Sequence, residues 1–262
     1  MSGSGEVVLE GRGISKYYGS VVALESVDIE IKQGEVLAIV GDNGAGKSTL
    51  VKVLCGAVKA DRGEVIHRGE VVQFDSPHAA RERGIETVWQ DLALAANVDV
   101  AGNIYMGREI LRGKRGPRLL RVLNRKAMAE GAAERLQALK VTTIPTVAGL
   151  PTDSLSGGQR QSVAVARAAA WATDVLFMDE PTAALGVKQS KAVLDLARMV
   201  ARQGLGVVVI THALPHVMEV SDRIVVLRHG HMVANLMRTE ATPERIVSLI
   251  VGFERGDVAD EE

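Results

Sequence analysis

One stretch, EVLAIVGDNGAGKSTLVKVL from Glu35 to Leu54, constrains this chain more than any other. An apolar run of strand length stops at a glycine. The spacing G-x-x-x-x-G-K-[ST] then spans Gly41 to Ser48. Apolar positions Leu50, Val51, Val53, Leu54 and Val58 follow at helical spacing. A strand that feeds a helix through a glycine-rich loop belongs to an α/β sheet. Such a loop grips phosphate, because glycine lets backbone amides approach an anion closely and the helix start adds positive potential. Gly41, Asp42, Asn43, Gly44, Ala45, Gly46, Lys47, Ser48 and Thr49 are therefore assigned to the phosphates of a nucleotide. Lys47 supplies charge to the β- and γ-phosphates, and Ser48 supplies an oxygen to Mg²⁺.

The rest of the chain agrees with that demand. The first forty residues read as strands between glycine turns, and KADRGE leads to short strand-like pieces around Gly69. VLFMDE, GVVVIT and DRIVVLRHG read as later strands. Helical patterns at about Lys188 to Gln203 and His212 to Val220 separate them. Alternating strands and helices imply a mostly parallel sheet. Between about Asp91 and Val165, Ala, Arg and Leu dominate, which reads as a helical subdomain inserted into the sheet. Aromatic residues make up only 3% of the chain against 47% hydrophobic, so the core has to be aliphatic. The single cysteine, Cys55, falls in the apolar pattern, excludes an intrachain disulfide and reads as core. The longest apolar runs have strand length, and the N-terminus shows no apolar signal region. A net charge of −1 excludes nucleic-acid binding by bulk charge. The run Arg112 to Lys126 carries seven basic residues and no acid. It reads either as a solvated surface or as a contact with acidic lipid headgroups or a membrane partner.

VLFMDE adds chemistry. Four apolar residues form a buried strand, and Asp179 and Glu180 emerge at its carboxyl end, where open α/β sheets bind ligands. Asp179 fits a Mg²⁺ partner, directly or through water, and Glu180 fits a base that orients the attacking water. With the phosphate loop upstream, these residues point to a nucleotide triphosphatase.

LSGGQ, Leu155 to Gln159, ends 20 residues before Asp179. A hydroxyl and two bare amides, from Ser156, Gly157 and Gly158, stand just before a helical run, which makes a second anion site. With this motif the chain resembles the ATP-binding cassette (ABC) family from about Val7 to Gly252. The resemblance implies a P-loop NTPase core with a mostly parallel sheet, an N-terminal antiparallel β subdomain and the inserted helical subdomain. Residues 5–252 would form one nucleotide-binding domain, with 91–165 as its helical part and 253–262 as an acidic, flexible tail. The resemblance also implies ATP and Mg²⁺ as ligands. Tyr18 would stack on adenine, with Tyr17 the less suitable neighbour by position. Gln90 would contact Mg²⁺, and His212 would touch the γ-phosphate. Ser156, Gly157, Gly158 and Gln159 would meet the ATP of a second cassette, head to tail, so that two ATPs are sandwiched between two chains. His216 matches nothing in the family and reads as incidental.

After EPT, most members carry Ser-Ala-Leu-Asp, and that Asp helps couple the two sites. This chain has Ala183, Ala184, Leu185 and Gly186 there. Hydrolysis is still expected, because Lys47, Asp179, Glu180 and His212 are present. GDNGAGKST, QDLALAANVDVAGNIYMGRE and MDEPTAALGV resemble the ATPases of bacterial monosaccharide importers, and one cassette per chain resembles the fructose-import type. The implied partners are a second cassette, a transmembrane permease and, indirectly, a sugar-binding protein, with no nucleic acid. The implied location is cytoplasmic, on the inner face of the membrane through the permease. Three rivals stand beside this reading. One is a cassette switch acting on DNA or ribosomes, but such proteins usually carry long coiled coils or two cassettes, and this chain shows no sustained heptads. Another, prompted by Gly186, is a nucleotide-binding regulator with little turnover. The third is a cassette serving a different cargo.

Overall fold

In the computed structural model, which describes residues 5–112, 122–141, 144–183 and 185–253, the chain forms two sheets. The strands β1 (Val7–Tyr18), β2 (Val21–Lys32), β4 (Arg62–His67) and β5 (Glu70–Val72) pair antiparallel in the order β2-β1-β4-β5. One face is apolar: Leu24, Val27, Ile29 and Ile31 of β2 point inward. This is the alternation expected of an antiparallel sheet with one wet side.

The larger sheet contains β3 (Val36–Val40), β6 (Ile85–Val88), β7 (Val175–Asp179), β8 (Gly206–Ile210), β9 (Arg223–Arg228) and β10 (His231–Met237). Its order is β10-β9-β3-β8-β7-β6. All neighbours run parallel except β10, which returns antiparallel to β9. β3, β7 and β8 are buried along their whole length, so their sequences are continuous apolar runs rather than alternating ones. β3 lies between β9 and β8, the point at which a crevice opens outside the carboxyl ends of the strands.

The helices are α1 (Lys47–Leu54), α2 (Pro77–Glu82), α3 (Val100–Ile104), α4 (Arg125–Ala138), α5 (Gly157–Ala169), α6 (Val187–Arg202), α7 (Leu214–Val220) and α8 (Pro243–Val251). α1 lies between the two sheets, where Leu9, Ile14, Ile31, Leu37, Leu50, Leu54, Phe177 and Val208 share one core. α5 and α6 cover the other face of the large sheet against Leu176, Met178, Val207 and Val209. Val217, Ile246 and Leu249 pack on Ile224 and Val226. Cys55 is buried in the α1 core, and the core is aliphatic apart from a few rings such as Phe177.

Several expectations need correction. The helix after the phosphate loop ends at Leu54, not at Val58. α2, β10 and α8 had not been separated from their surroundings. The block 91–165 is less helical than its Ala- and Arg-rich composition suggests, because residues 91–98 and 144–156 have no helix apart from a 3-10 turn, Thr152–Ser154. Fully buried Asn103 holds the first of these segments. Its amide donates to the carbonyls of Ala95, Val98 and Asp99, each at 3.0 Å, and its Oδ1 accepts from the Ala95 amide at 2.8 Å. Backbone bonds that a helix would make internally are supplied here by one side chain. Residues 113–121 of the basic run, Ala184 and residues 254–262 of the acidic tail lie outside the described residues.

The small sheet is tied to the start of β7 by a polar knot in which His67 and Asp174 are buried and Arg68 is exposed. Asp174 accepts from Arg68 through both carboxylate oxygens, at 2.8 and 2.6 Å, and pairs with His67 Nε2 at 2.7 Å. The Arg68 bonds hold the Asp174 carboxyl below the ordinary value against the opposing effect of burial. A depressed carboxyl stabilises the fold above its unfolded pKa, and that contribution is lost as pH falls through its folded pKa. Asp174→Ala strands a buried imidazole and half a bidentate pair, so it should cost about 3 kcal/mol. In thermal unfolding that is a fall of roughly 6–12 °C. The gap between variant and parent should close on acidification below the carboxylate range. A gap that persists there would refute the role of the Asp174 charge.

Candidate functional site

The residues singled out in the sequence converge on the crevice at the carboxyl edge of β3, β7 and β8. A cleft of about 710 Å³ is lined by Tyr18, the phosphate loop, Gln90, Asp179, Glu180 and His212. Val21, Val22 and Ala23 of β2 complete the wall beside Tyr18. Their spacing alone gave no signal, since they read as ordinary strand residues.

The loop's glycines are needed for close approach and for backbone shape. Gly46 has φ +102, and a Cβ there would lie 2.5 Å from the Ala23 carbonyl oxygen. At Gly41, with φ +149, a Cβ would lie 2.2 Å from the Leu227 carbonyl oxygen. Any side chain would strain the backbone and push the loop off β2 and β9. Asp42, Asn43 and Gly44 are exposed, and Ser48 and Thr49 line the cleft. Ala45 differs from its neighbours in the loop: it is buried and does not line the cleft. Lys47 is folded across its own loop and donates to the carbonyl oxygens of Gly41 at 2.7 Å and Asp42 at 2.8 Å. Burial lowers its pKa, opposed by the charges of Glu180, Asp179 and Asp42. These are carbonyl contacts that an anion in the loop could replace.

Asp179 ends β7 as a buried carboxylate beside Ser48, which hydrogen-bonds to it. Burial raises its pKa, and the Ser48 bond opposes the rise. A serine hydroxyl and a carboxylate facing each other, with the Gln90 amide on the same wall, form a set of hard oxygen donors that suits Mg²⁺. Among the described residues no cluster of three His, Cys, Asp or Glu side chains could hold a metal ion. The set therefore fits a cation whose remaining ligands are phosphate oxygens and water, not a cage built from protein alone.

Glu180 is held in an unusual way. Its φ is +50, a left-handed conformation that costs a non-glycine residue about 1–3 kcal/mol and persists only where its surroundings enforce it. Its amide donates to the Ile210 carbonyl at 2.9 Å, and its own carbonyl accepts from Ala183 at 3.1 Å. Oε1 pairs with His212 Nδ1 at 3.0 Å, while Oε2 is buried with no hydrogen-bond partner. A buried acceptor left open in a polar cleft is placed to take a proton or orient a water. His212 reaches over from the end of β8 and is itself exposed. Tyr18 is 47% exposed on the cleft wall, whereas the Tyr17 hydroxyl is committed to Glu25 at 3.0 Å, which separates the two tyrosines. Trp89, beside Gln90, packs against the α1 core.

The second anion loop is not at this cleft: Ser156, Gly157, Gly158 and Gln159 are absent from its lining. The glycines also do not precede the helix, because they form its first two residues. Ser156 is the N-cap, and its Oγ accepts from the Gln159 amide at 3.3 Å while Gln159 Oε1 accepts from the Ser156 amide at 2.9 Å. This reciprocal cap fixes the start of α5. It leaves the Ser156 hydroxyl proton free of the cap, and a Cβ on Gly157 would meet open space. The second loop is thus an exposed helix start with no phosphate loop of its own chain beside it.

Two further residues were missed or set aside by sequence reasoning. Thr182 is buried, and its Oγ1 pairs with His216 Nδ1 at 3.1 Å. Gly186, in place of the usual Asp, is the N-cap of α6 with no side-chain cap. A Cβ there would lie 2.7 Å from Gln189 Oε1, so Gln189 has folded into the space.

Residues 24–183 match the family described as ABC transporter. Over 247 residues the chain is 46% identical to the fructose import ATP-binding protein FrcA of Rhizobium meliloti, covering 94% of this chain and 95% of that protein. It is 43% identical over 251 residues to the xylose/arabinose import ATP-binding protein XylG of Sulfolobus acidocaldarius, covering 96% of each. Among solved structures, a nucleotide-free ATP-binding cassette from an ABC transporter superposes with TM-score 0.78 at 25% identity, covering 93% of this chain and 98% of that one. The dimeric cassette MJ0796 superposes with TM-score 0.72 at 26% identity, covering 88% and 98%.

Proposed function

Because the chain belongs to the ABC transporter family, as an ATP-binding cassette, we propose that it is the ATP-hydrolysing subunit of a monosaccharide importer. One observation carries the hydrolytic part. Glu180 lines the cleft together with Lys47, Asp179 and His212, and its buried Oε2 has no hydrogen-bond partner. The names of the relatives carry the cargo class, since both act in sugar import. Residues 5–252 are read as one cassette, with 91–165 as its helical subdomain.

Each residue has work suited to its position. Tyr18 offers a ring face to adenine. The loop amides and Lys47 bind the β- and γ-phosphates, and Lys47 exchanges its two carbonyl contacts for phosphate oxygens. Ser48, Asp179 and Gln90 would hold Mg²⁺, which supplies charge neutralisation on the phosphates. Glu180 orients and deprotonates water for in-line attack on the γ-phosphorus, and His212 keeps Glu180 aimed and reaches the γ-phosphate. Ser156, Gly157, Gly158 and Gln159 present their helix start to the ATP of a second copy, a reading supported by the dimeric structure of the similar cassette MJ0796.

Closing such a dimer from 1:99 to 99:1 needs about 5.5 kcal/mol of differential binding. Hydrogen bonds to charged groups contribute about 1.5–3 kcal/mol each, so a few bonds to two γ-phosphates suffice. Hydrolysis removes those contacts and releases the closed state. No helix among the described residues is long and apolar enough to cross a membrane. The relatives' role in sugar import supports a permease as the receiver of the stroke, with the chain against it on the inner face of the membrane and a sugar-binding protein acting indirectly.

Tyr18→Ala should raise the KM for ATP on the order of tenfold with kcat retained, since base–aromatic stacking contributes about 1–3 kcal/mol. An unchanged KM in steady-state phosphate release removes Tyr18 from the adenine site. Purification of the chain from its native membranes tests the function as a whole. The expected result is a retained hydrophobic permease and ATP turnover stimulated by a sugar-loaded binding protein. Stimulation by DNA or ribosomes, with no permease retained, overturns the transport assignment.

A further inference from the structure

His216, read as incidental in the sequence, lies at one end of a second bond between the two segments that carry Glu180 and His212. Glu180 and Thr182 leave β7 on one segment, and His212 and His216 leave β8 on the other. The two are joined twice, by Glu180 Oε1 to His212 Nδ1 at 3.0 Å and by Thr182 Oγ1 to His216 Nδ1 at 3.1 Å. The first bond is at the cleft. The second is behind it, on a buried threonine that does not line the cleft.

The post that carries His216 is firmly set without the imidazole. Val217 and Val220 of α7 are buried, and Val217 packs on Ile224 and Val226. The amides of His216 and Val217 both bond the Ala213 carbonyl, and Glu219 is paired with Lys191 of α6 at 3.2 Å. The other segment needs a fixed neighbour. Glu180 has a left-handed φ of +50 that only its surroundings can enforce, and Thr182 lies two residues beyond it. A bond from an anchored helix to Thr182 restrains the chain as it leaves that strained residue.

We propose that His216 is a positioning residue for ATP hydrolysis. Through Thr182 it holds the Glu180 backbone in its left-handed conformation and so keeps the Glu180 carboxylate aimed at the attacking water. The inference rests on the reading of Glu180 as the base. It predicts that losing the imidazole–hydroxyl bond slows the chemical step and leaves nucleotide affinity unchanged.

The test uses the full chain and two variants that remove the bond from opposite sides, His216→Phe and Thr182→Val. Each should lower kcat for ATP about five- to tenfold, the weight of one net hydrogen bond. The Kd for the non-hydrolysable analogue AMP-PNP should stay within about twofold, because neither residue touches the cleft. The double variant should be no slower than the worse single, since both remove one interaction. His216→Asn, whose amide can reach the same hydroxyl, should keep kcat within about threefold of the parent. The inference is overturned by an unchanged kcat in either single variant, by a Kd that rises in step with the loss of kcat, or by losses that multiply in the double. Glu180→Gln separates this from the underlying reading. If that variant is dead and His216→Phe is unaltered, the inference alone fails, and if Glu180→Gln turns over normally, both fail.

Discussion

Glu180→Gln is expected to slow ATP turnover at least about a hundredfold, the lower bound for loss of a general base, while ATP still binds. The amide has the same shape as the carboxylate and can occupy the same left-handed backbone position. Its oxygen can still pair with His212 Nδ1, so the Glu180–His212 contact at 3.0 Å is kept. What is lost is the second carboxylate oxygen, the buried Oε2 that has no partner and is free to accept a proton. The phosphate loop, Ser48 and Asp179 are untouched, so the bound state persists and the step that would dissolve it is blocked. The variant should therefore accumulate as an ATP-bound dimer, seen as an earlier-eluting species on size-exclusion chromatography with Mg·ATP. Phosphate release measures the rate. Turnover within tenfold of the parent would remove Glu180 from the role of base.

The site was more legible in the sequence than the chain's outline. The strand–loop–helix spacing around Lys47 is short-range, because its glycines and lysine belong to one turn between β3 and α1. Asp179 and Glu180 could be read because a buried parallel strand has to be a continuous apolar run, which marks its carboxyl end. His212 followed by the same logic from β8. The elements that stayed hidden lack any such local requirement. β10 is an edge strand with only partial burial, and α2 has six residues, too few for a periodic pattern. The irregular segment at 91–98 is held by Asn103, whose partners lie four to eight residues away, a relation that residue spacing does not record. His216 was passed over for the same reason, because its partner Thr182 is 34 residues distant and comes beside it only when β7 and β8 pair.

The separation of the two anion loops gives the second large effect. Gly158→Asp and Lys47→Ala should each abolish turnover, and an equal mixture of the two dead chains should recover it to roughly a quarter of the parent level. Gly158→Asp is built to fold. It adds an acid to the first turn of α5, which favours the helix, and its Cβ would lie 2.6 Å from Gln189 Cγ, so the side chain of that exposed residue has to turn aside. Its carboxylate would stand where the γ-phosphate of a second copy has to dock, so it repels that ATP while leaving its own phosphate loop intact. Lys47→Ala has the reverse defect: a crippled phosphate loop and an intact Ser156 helix start. In a head-to-tail dimer, the mixed pair joins the sound phosphate loop of one chain to the sound helix start of the other, making one good site and one doubly broken one. Random pairing yields half mixed dimers, each with half its sites intact, which sets the level. If instead Ser156 and Gly158 served the ATP of their own chain, every site in the mixture would be defective and no turnover would return. The cleft's lining argues for the first outcome, because no residue from Ser156 to Gln159 reaches the phosphate loop of its own chain.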